Sequence, residues 1–338
     1  MKKLYILMAI ALLTAGVQAN ADEPQPKTKL RPTRTVLLYP EGQNVDKGIV
    51  ENGVTVTLGP GESNELYGPE TVNDWGDFGN ISDNARIDIY LPKKPNGQMI
   101  ISCPGGGYQY VSAFNEGAYV ADYFTKKGIT VCVVKYRLPN GHWQVPLTDV
   151  QNAFRYCRAH AEEWGVKQIG IIGFSAGGHL AASASTLFVD EVTRPDFSIL
   201  VYPVITMDLN LTHRGTHDCL IGAEQKWLDE SLPYNEYLQN KAEYETLMEH
   251  YSLENQVSEN TPPTILALSC NDGVVVPENS VRYFRALLEK GVSAQMYVFP
   301  KGGHGWGFYT KEFGGDRLGD YRKVFFDAVD AWLAEIKK

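Results

Sequence analysis

The stretch Gln168-Ile169-Gly170-Ile171-Ile172-Gly173-Phe174-Ser175-Ala176-Gly177-Gly178-His179 decides the fold. Its first five residues form an apolar run of strand length, and small residues of helical length follow over 179–188. Between the two, a serine stands with glycine two places to either side. In that strand, turn, helix context the pattern is a nucleophile elbow, a sharp turn that lifts a serine hydroxyl above the edge of a sheet. A side chain at 173 or 177 would collide with the neighbouring strand or helix, and the tight turn favours residues that lack a Cβ. The amide of Ala176, at the start of the helix, is then aimed where an oxyanion would form. A glycine-rich turn that merely contains a serine does not require both flanks.

Outward from the elbow, apolar runs at 98–103, 130–136, 197–205, 264–270 and 293–299 read as strands. Helical patterns at 117–127, 277–290 and 320–336 alternate with them, as does the series Leu147, Val150, Phe154, Cys157, Ala161 and Trp164 behind Pro146. Residues 86–91 alternate polar and apolar and predict a half-exposed edge strand. Such alternation predicts an α/β fold, a mostly parallel sheet covered on both faces. Residues 207–260 interrupt it with two helix-like stretches, 226–232 and 236–251, and no strand. An insertion there lies over the carboxyl ends of the strands, so we expect a small cap beside the site.

The chain begins with Lys2 and Lys3, an apolar run over 4–13, and small residues ending in Ala19-Asn20-Ala21. This predicts a signal peptide over 1–21 and export to the periplasm or beyond, with no membrane anchorage after cleavage. Residues 22–34 read as a flexible lead-in, 35–80 as a β extension, and 81–338 as the catalytic domain with its cap. A net charge of −9 and no basic run speak against a nucleic-acid partner. Five cysteines, an odd number without metal-ligand spacing, read as buried free thiols with room for at most one adventitious disulfide.

A serine hydroxyl is a poor nucleophile at neutral pH and needs a base, with a third group to orient that base. Asp272, in Asn271-Asp272-Gly273, is the sole acid between Thr264 and Pro277 and directly follows a strand; Glu278 is the fallback. His304 sits between Gly303 and Gly305 after the last strand, on a loop able to reach the elbow. The chain order serine, acid, histidine is that of α/β-hydrolases. Three glycines after the strand over 98–103 leave amides free, which nominates Gly106 and Gly107, with Ala176, for the oxyanion hole. Tyr108, Tyr110 and Trp306 flank these positions and are candidate sugar contacts. His179 reads as a packing residue. His213, His217 and Asp218 could ligate a metal by spacing, but surface loops carry such residues by chance, and no cofactor or metal is expected.

These residues resemble the acetyl xylan esterase-like branch of secreted α/β-hydrolases from degraders of plant polysaccharide, some of whose members carry a xylanase label. The resemblance covers about residue 84 to the C-terminus. It rests on Cys103-Pro104-Gly105-Gly106-Gly107-Tyr108, Lys135 through His142, Val145-Pro146-Leu147-Thr148-Asp149, Gly173 through His179, and Lys301 through Trp306. It implies an α/β-hydrolase fold with Ser175 as nucleophile, Asp272 as acid and His304 as base. Pro104 stands where lipase-like relatives have the histidine of a His-Gly-Gly-Gly loop, and Val276 stands where the branch tends to have proline.

The expected function is therefore a serine esterase acting on an acylated poly- or oligosaccharide. Feruloyl or generic short-chain esterase, serine peptidase of the same fold and non-catalytic sugar-binding relative are the alternatives. The cap lacks a long apolar stretch for an acyl-chain tunnel and is dense in Asp, Glu, Asn, Tyr and His, which favours a short acyl group, acetyl first.

Overall fold

The computed structural model describes residues 24–39, 49–51, 54–56, 70–81, 85–309, 311 and 315–337. The signal peptide expected over 1–21 lies outside the described residues, as does most of the extension between 40 and 69. In chain order the strands are β1 (Arg34–Leu37), β2 (Ile49–Glu51), β3 (Val54–Val56), β4 (Thr71–Val72), β5 (Asp77–Gly79), β6 (Arg86–Tyr90), β7 (Gln98–Cys103), β8 (Tyr110–Ser112), β9 (Thr130–Lys135), β10 (Gln168–Phe174), β11 (Ser198–Val201), β12 (Thr264–Ser269) and β13 (Ala294–Phe299). The helices are α1 (Tyr119–Thr125), α2 (Gln144–Ala159), α3 (Ser175–Thr186), α4 (Arg214–Ile221), α5 (Glu224–Trp227), α6 (Tyr234–His250), α7 (Glu278–Glu289) and α8 (Tyr321–Glu335).

Eight strands form one sheet in the order β1-β6-β9-β7-β10-β11-β12-β13. From β9 to β13 neighbouring strands run parallel, whereas β1 and β6 are antiparallel additions at one side. All residues of β7 and β10 are buried, as the unbroken apolar runs require for strands covered on both faces. After β7 the chain goes to β9 on one side; after β9 it crosses back through α2 to β10 on the other. That reversal opens a crevice beyond the carboxyl ends of β7 and β10, where α/β sheets place ligands.

Residues 86–91 depart from expectation. All five residues of β6 are buried, and β6 is not an edge, because β1 pairs with it over Arg34–Leu37. The polar members of its alternation are occupied: Arg86 is salt-bridged to Glu70, and Asp88 bonds Thr35 and Lys135. The stretch read as a lead-in thus passes directly into the sheet's outer strand. Between β11 and β12 the chain carries three α-helices and a short 3₁₀ helix, Leu253–Gln256; α4 has no counterpart among the helices expected there. All five cysteines are free; Cys103, Cys132 and Cys157 are buried, Cys219 is half-buried and Cys270 is exposed.

One ion pair is fully enclosed. Arg137 bonds Asp149 through Nε and Nη2, the Arg137 amide donates to the same carboxylate, and Tyr39 closes the group with a 2.6 Å bond from its hydroxyl. Removing one member leaves the other charge buried without its partner, which typically costs about 3–5 kcal/mol. Asp149→Ala is accordingly expected to lower unfolding stability by that order in urea titrations. A loss under about 1 kcal/mol would show that Arg137 finds water or another acceptor.

Candidate active site

Ser175 is the first residue of α3, with φ of 52°, a left-handed conformation in a non-glycine residue. Such strain persists only where the surroundings enforce it. A Cβ at Gly173 would stand 2.2 Å from the Gly177 carbonyl oxygen, and one at Gly177 would stand 2.2 Å from that of Cys103. The two glycines therefore let helix, strand and oxyanion loop close around the serine.

The structure brings the three separated candidates together. His304 Nε2 lies 2.8 Å from Ser175 Oγ, and His304 Nδ1 lies 2.7 Å from Asp272 Oδ2. The other oxygen of Asp272 accepts the amides of Val274 and Val275. Burial acts to raise the Asp272 pKa, but the bond and charge of His304 and these two amides outweigh it and leave the carboxyl below its ordinary value. Glu278, the fallback acid, sits on α7 within 3.7 Å of Arg282 instead.

Gly106 and Gly107 turn the loop after β7 with φ of 131° and 64°, and a Cβ on Gly106 would strike the Tyr110 carbonyl at 2.1 Å. Neither amide donates to a group among the described residues. The Ala176 amide lies in the first turn of α3, where helix N–H groups lack intrahelical acceptors.

Glu116 was not singled out in the sequence. It lies in a π-helical turn, Phe114–Ala118, beneath the loop. Its Oε2 accepts the Gly105 amide at 2.6 Å, and its Oε1 accepts the Tyr202 hydroxyl at 2.7 Å. Tyr202 in turn accepts the Gly307 amide from the histidine loop, and its ring centroid stands 4.8 Å from that of His304. Next to it, Asn115 donates to the Gly305 carbonyl and accepts from the Tyr309 amide. One turn thus ties the oxyanion loop to the histidine loop. Burial pushes the Glu116 carboxyl above its usual range, and the bonds from Tyr202 and Gly105 restrain that rise.

Two proposed sugar contacts are corrected by the structure. Tyr108 is 1% exposed, and its hydroxyl lies 3.1 Å from His179 Nδ1. Trp306 is fully buried, its indole donating to Ser269. Each neighbours a glycine with positive φ, and the turn sends the ring inward. Tyr110, 40% exposed, does line the cleft. That cleft, about 520 Å³, is bounded by Ser175, His304, Gly106 and Gly107 and is walled by Trp75, Asp77, Tyr110, His213, Val274 and Arg317, among others.

The residues weighed as metal ligands take separate places. His213 caps α4, its Nδ1 accepting the Thr216 amide, and lines the cleft. His217 lies 2.6 Å from Asp218 and 3.0 Å from the Tyr244 hydroxyl, so both of its ring nitrogens are occupied. No cluster of three or more metal-ligating side chains occurs among the described residues.

The fold defines the class, the α/β-hydrolases. Within it, the chain belongs to the BD-FAE family, whose model matches residues 87–287. It is 37% identical over 237 residues to an acetylxylan esterase of Xylanibacter ruminicola, covering 68% of this chain and 46% of that protein. It is 35% identical over 227 residues to endo-1,4-beta-xylanase B of Butyrivibrio fibrisolvens, covering 62% and 32%. The chain thus spans less than half the length of these two relatives. A crystal structure of an acetyl ester-xyloside bifunctional hydrolase from Caldicellulosiruptor lactoaceticus superposes with a TM-score of 0.63 at 26% identity, over 91% of this chain and 98% of that one. The resemblance read from the motifs holds.

Two expectations follow from this geometry. Glu116→Ala strips the acceptor from Gly105 and from Tyr202 and should lower kcat on p-nitrophenyl acetate by about 10- to 100-fold; Glu116→Gln, which keeps one acceptor oxygen, should recover part of it. Equal, wild-type kcat in both variants would show that the loops hold their shape unaided. The second concerns His179, whose Nε2 must donate to the Tyr251 carbonyl, so that Nδ1 accepts from Tyr108 and the ring is neutral. Burial drives its pKa down to about 4, against a smaller opposing effect of the Tyr251 bond. Between pH 6.5 and 4 the unfolded chain takes up a proton that the folded one does not, so the His179 contribution to stability is intact above pH 6.5. It is lost as pH falls, by about 3 kcal/mol in all. Urea unfolding from pH 7 to 4 should show this loss in the wild type and a flatter dependence in His179→Gln; parallel curves would contradict it.

Proposed function

We propose that the chain is a serine carboxylesterase that removes short acyl groups, acetyl first, from a plant polysaccharide such as xylan or from its oligosaccharides. The observation that carries this reading is the hydrogen-bonded line from Ser175 through His304 to Asp272, standing at the floor of a polar cleft beside two uncommitted amides. In the first half-reaction His304 Nε2 takes the Ser175 proton as Oγ bonds the acyl carbon. Asp272 holds the Nδ1 proton and stabilises the imidazolium. The amides of Gly106, Gly107 and Ala176 receive the developing oxyanion. Collapse breaks the ester C–O bond, the sugar alcohol leaves with the proton from His304, and the acyl group stays on Ser175. Water, deprotonated by the same histidine, then releases the acid and restores the serine.

The acetyl and sugar halves of the proposal draw on the acetylxylan esterase and the acetyl ester-xyloside hydrolase to which the chain is similar. Glycoside cleavage needs two carboxyl groups facing each other across the bond. Both oxygens of Glu116 are engaged by Gly105 and Tyr202, which favours ester over glycoside hydrolysis. Among the described residues no helix is long and apolar enough to cross a membrane; export, like the signal peptide, is an expectation from the first 21 residues.

Ser175→Ala should reduce turnover of p-nitrophenyl acetate by about 10⁴-fold or more without loss of fold, and near wild-type turnover would remove Ser175 from the mechanism. With the wild type, acetate release from acetylated xylo-oligosaccharides is expected, together with a specificity constant that falls from acetate through butyrate to octanoate. A preference for octanoate, or ferulate from feruloylated arabinoxylan in place of acetate, would redirect the assignment.

A further inference from the structure

Trp75 is 64% exposed and lines the same cleft as Ser175, yet its backbone is tightly held. Asn73 Oδ1 accepts the amides of Trp75 and Asp77, and the Asn73 carbonyl accepts that of Gly76. Gly76 has φ of 74°, and its carbonyl accepts the Ala113 amide; a Cβ there would overlap the Phe114 ring at 2.0 Å. No larger residue fits, so the turn is seated on the Phe114–Ala118 segment that also carries Glu116. The backbone that carries this large indole is thus held in place beside the cleft.

The small sheet β4-β5-β8 extends this surface. Its register pairs Asp77 with Ser112, Phe78 with Val111 and Gly79 with Tyr110. Directly opposed residues share a face, so Phe78 and Val111 point to the core while Asp77, Tyr110 and Ser112 face the cleft. The partner opposite Tyr110 is a glycine, and the phenol ring stays 40% exposed. Asp77 Oδ2 accepts from Asn73, and its second oxygen has no partner among the described residues. Two exposed aromatic rings beside a carboxylate and a hydroxyl are suited to a sugar: C–H faces lie on the rings, and hydroxyls donate to the carboxylate.

We propose that Trp75 and Asp77, supplied by the segment ahead of the catalytic domain, form with Tyr110 a subsite for a pyranose ring on the alcohol side of the ester. This deepens the esterase reading and rests on it for the identity of the sugar. The subsite would set KM for oligosaccharide esters, whereas an alkyl ester such as ethyl acetate lacks a ring to stack on the indole.

Kinetics of wild type, Trp75→Ala and Trp75→Phe on acetylated xylo-oligosaccharides and on ethyl acetate test it. Trp75→Ala is expected to raise KM for the oligosaccharide about tenfold with little change in kcat, with a much smaller effect on ethyl acetate; Trp75→Phe should recover most of the loss. An unchanged oligosaccharide KM, or an equal loss on both substrates, would overturn the proposal. Calorimetric titration of unacetylated xylo-oligosaccharide into Ser175→Ala, with and without Trp75→Ala, reads the subsite independently of turnover. Binding weakened about tenfold by the second substitution supports the subsite even if no acetate is released, in which case the esterase reading alone fails. Binding that is absent or indifferent to Trp75 sinks the subsite.

Discussion

A single buried carboxylate sets the distance between the two halves of the site. Glu116 accepts one bond from the loop that carries the oxyanion amides and another from Tyr202, which in turn holds the loop of His304. Neither loop is a regular element, and each contains glycines in left-handed conformations that would be free to move if unsupported. A carboxylate has two acceptor oxygens in fixed geometry, so it pins two donors that stand apart, one on each oxygen. Enclosure costs free energy that only full satisfaction offsets. The placement of this group in a π-helical turn fits that demand, because the widened turn aims the side chain upward into the site.

Around that point the parallel sheet acts as a ruler. The oxyanion loop, Ser175, Tyr202, Asp272 and His304 all follow the carboxyl ends of β7, β10, β11, β12 and β13. Their mutual positions are therefore inherited from strand spacing and register. Loops alone could not hold a 2.8 Å and a 2.7 Å contact between residues separated by 129 and 32 positions.

This is why the architecture and the three candidate residues were legible in the sequence. Apolar runs mark buried parallel strands, and the polar residue just beyond each run must lie at one end of the sheet. What was not legible depended on contacts across distance or on the direction of a single side chain. Tyr108 and Trp306 stand beside glycines, where one dihedral angle decides between core and cleft, and both turned inward. Glu116 sits in a helical stretch, where a lone acid reads as a solvated face. The edge position assigned to residues 86–91 failed because β1 is only four residues long, half-buried and preceded by a proline-rich stretch. Trp75 is carried by strands of two and three residues, below the length at which alternation is a signal.

The short strand β1 has a practical bearing on where this chain can be divided. The family model begins at residue 87, inside β6, and a boundary drawn there would discard β1, Tyr39 and the Trp75 turn together. What remained would present the backbone N–H and C=O groups of β6 to solvent along an uncapped margin, an invitation to intermolecular pairing and fibrillar or amorphous assembly. Residues that look like a tether to the catalytic unit are in this respect its solubilising border, and grafting or shuffling of such domains should carry them along.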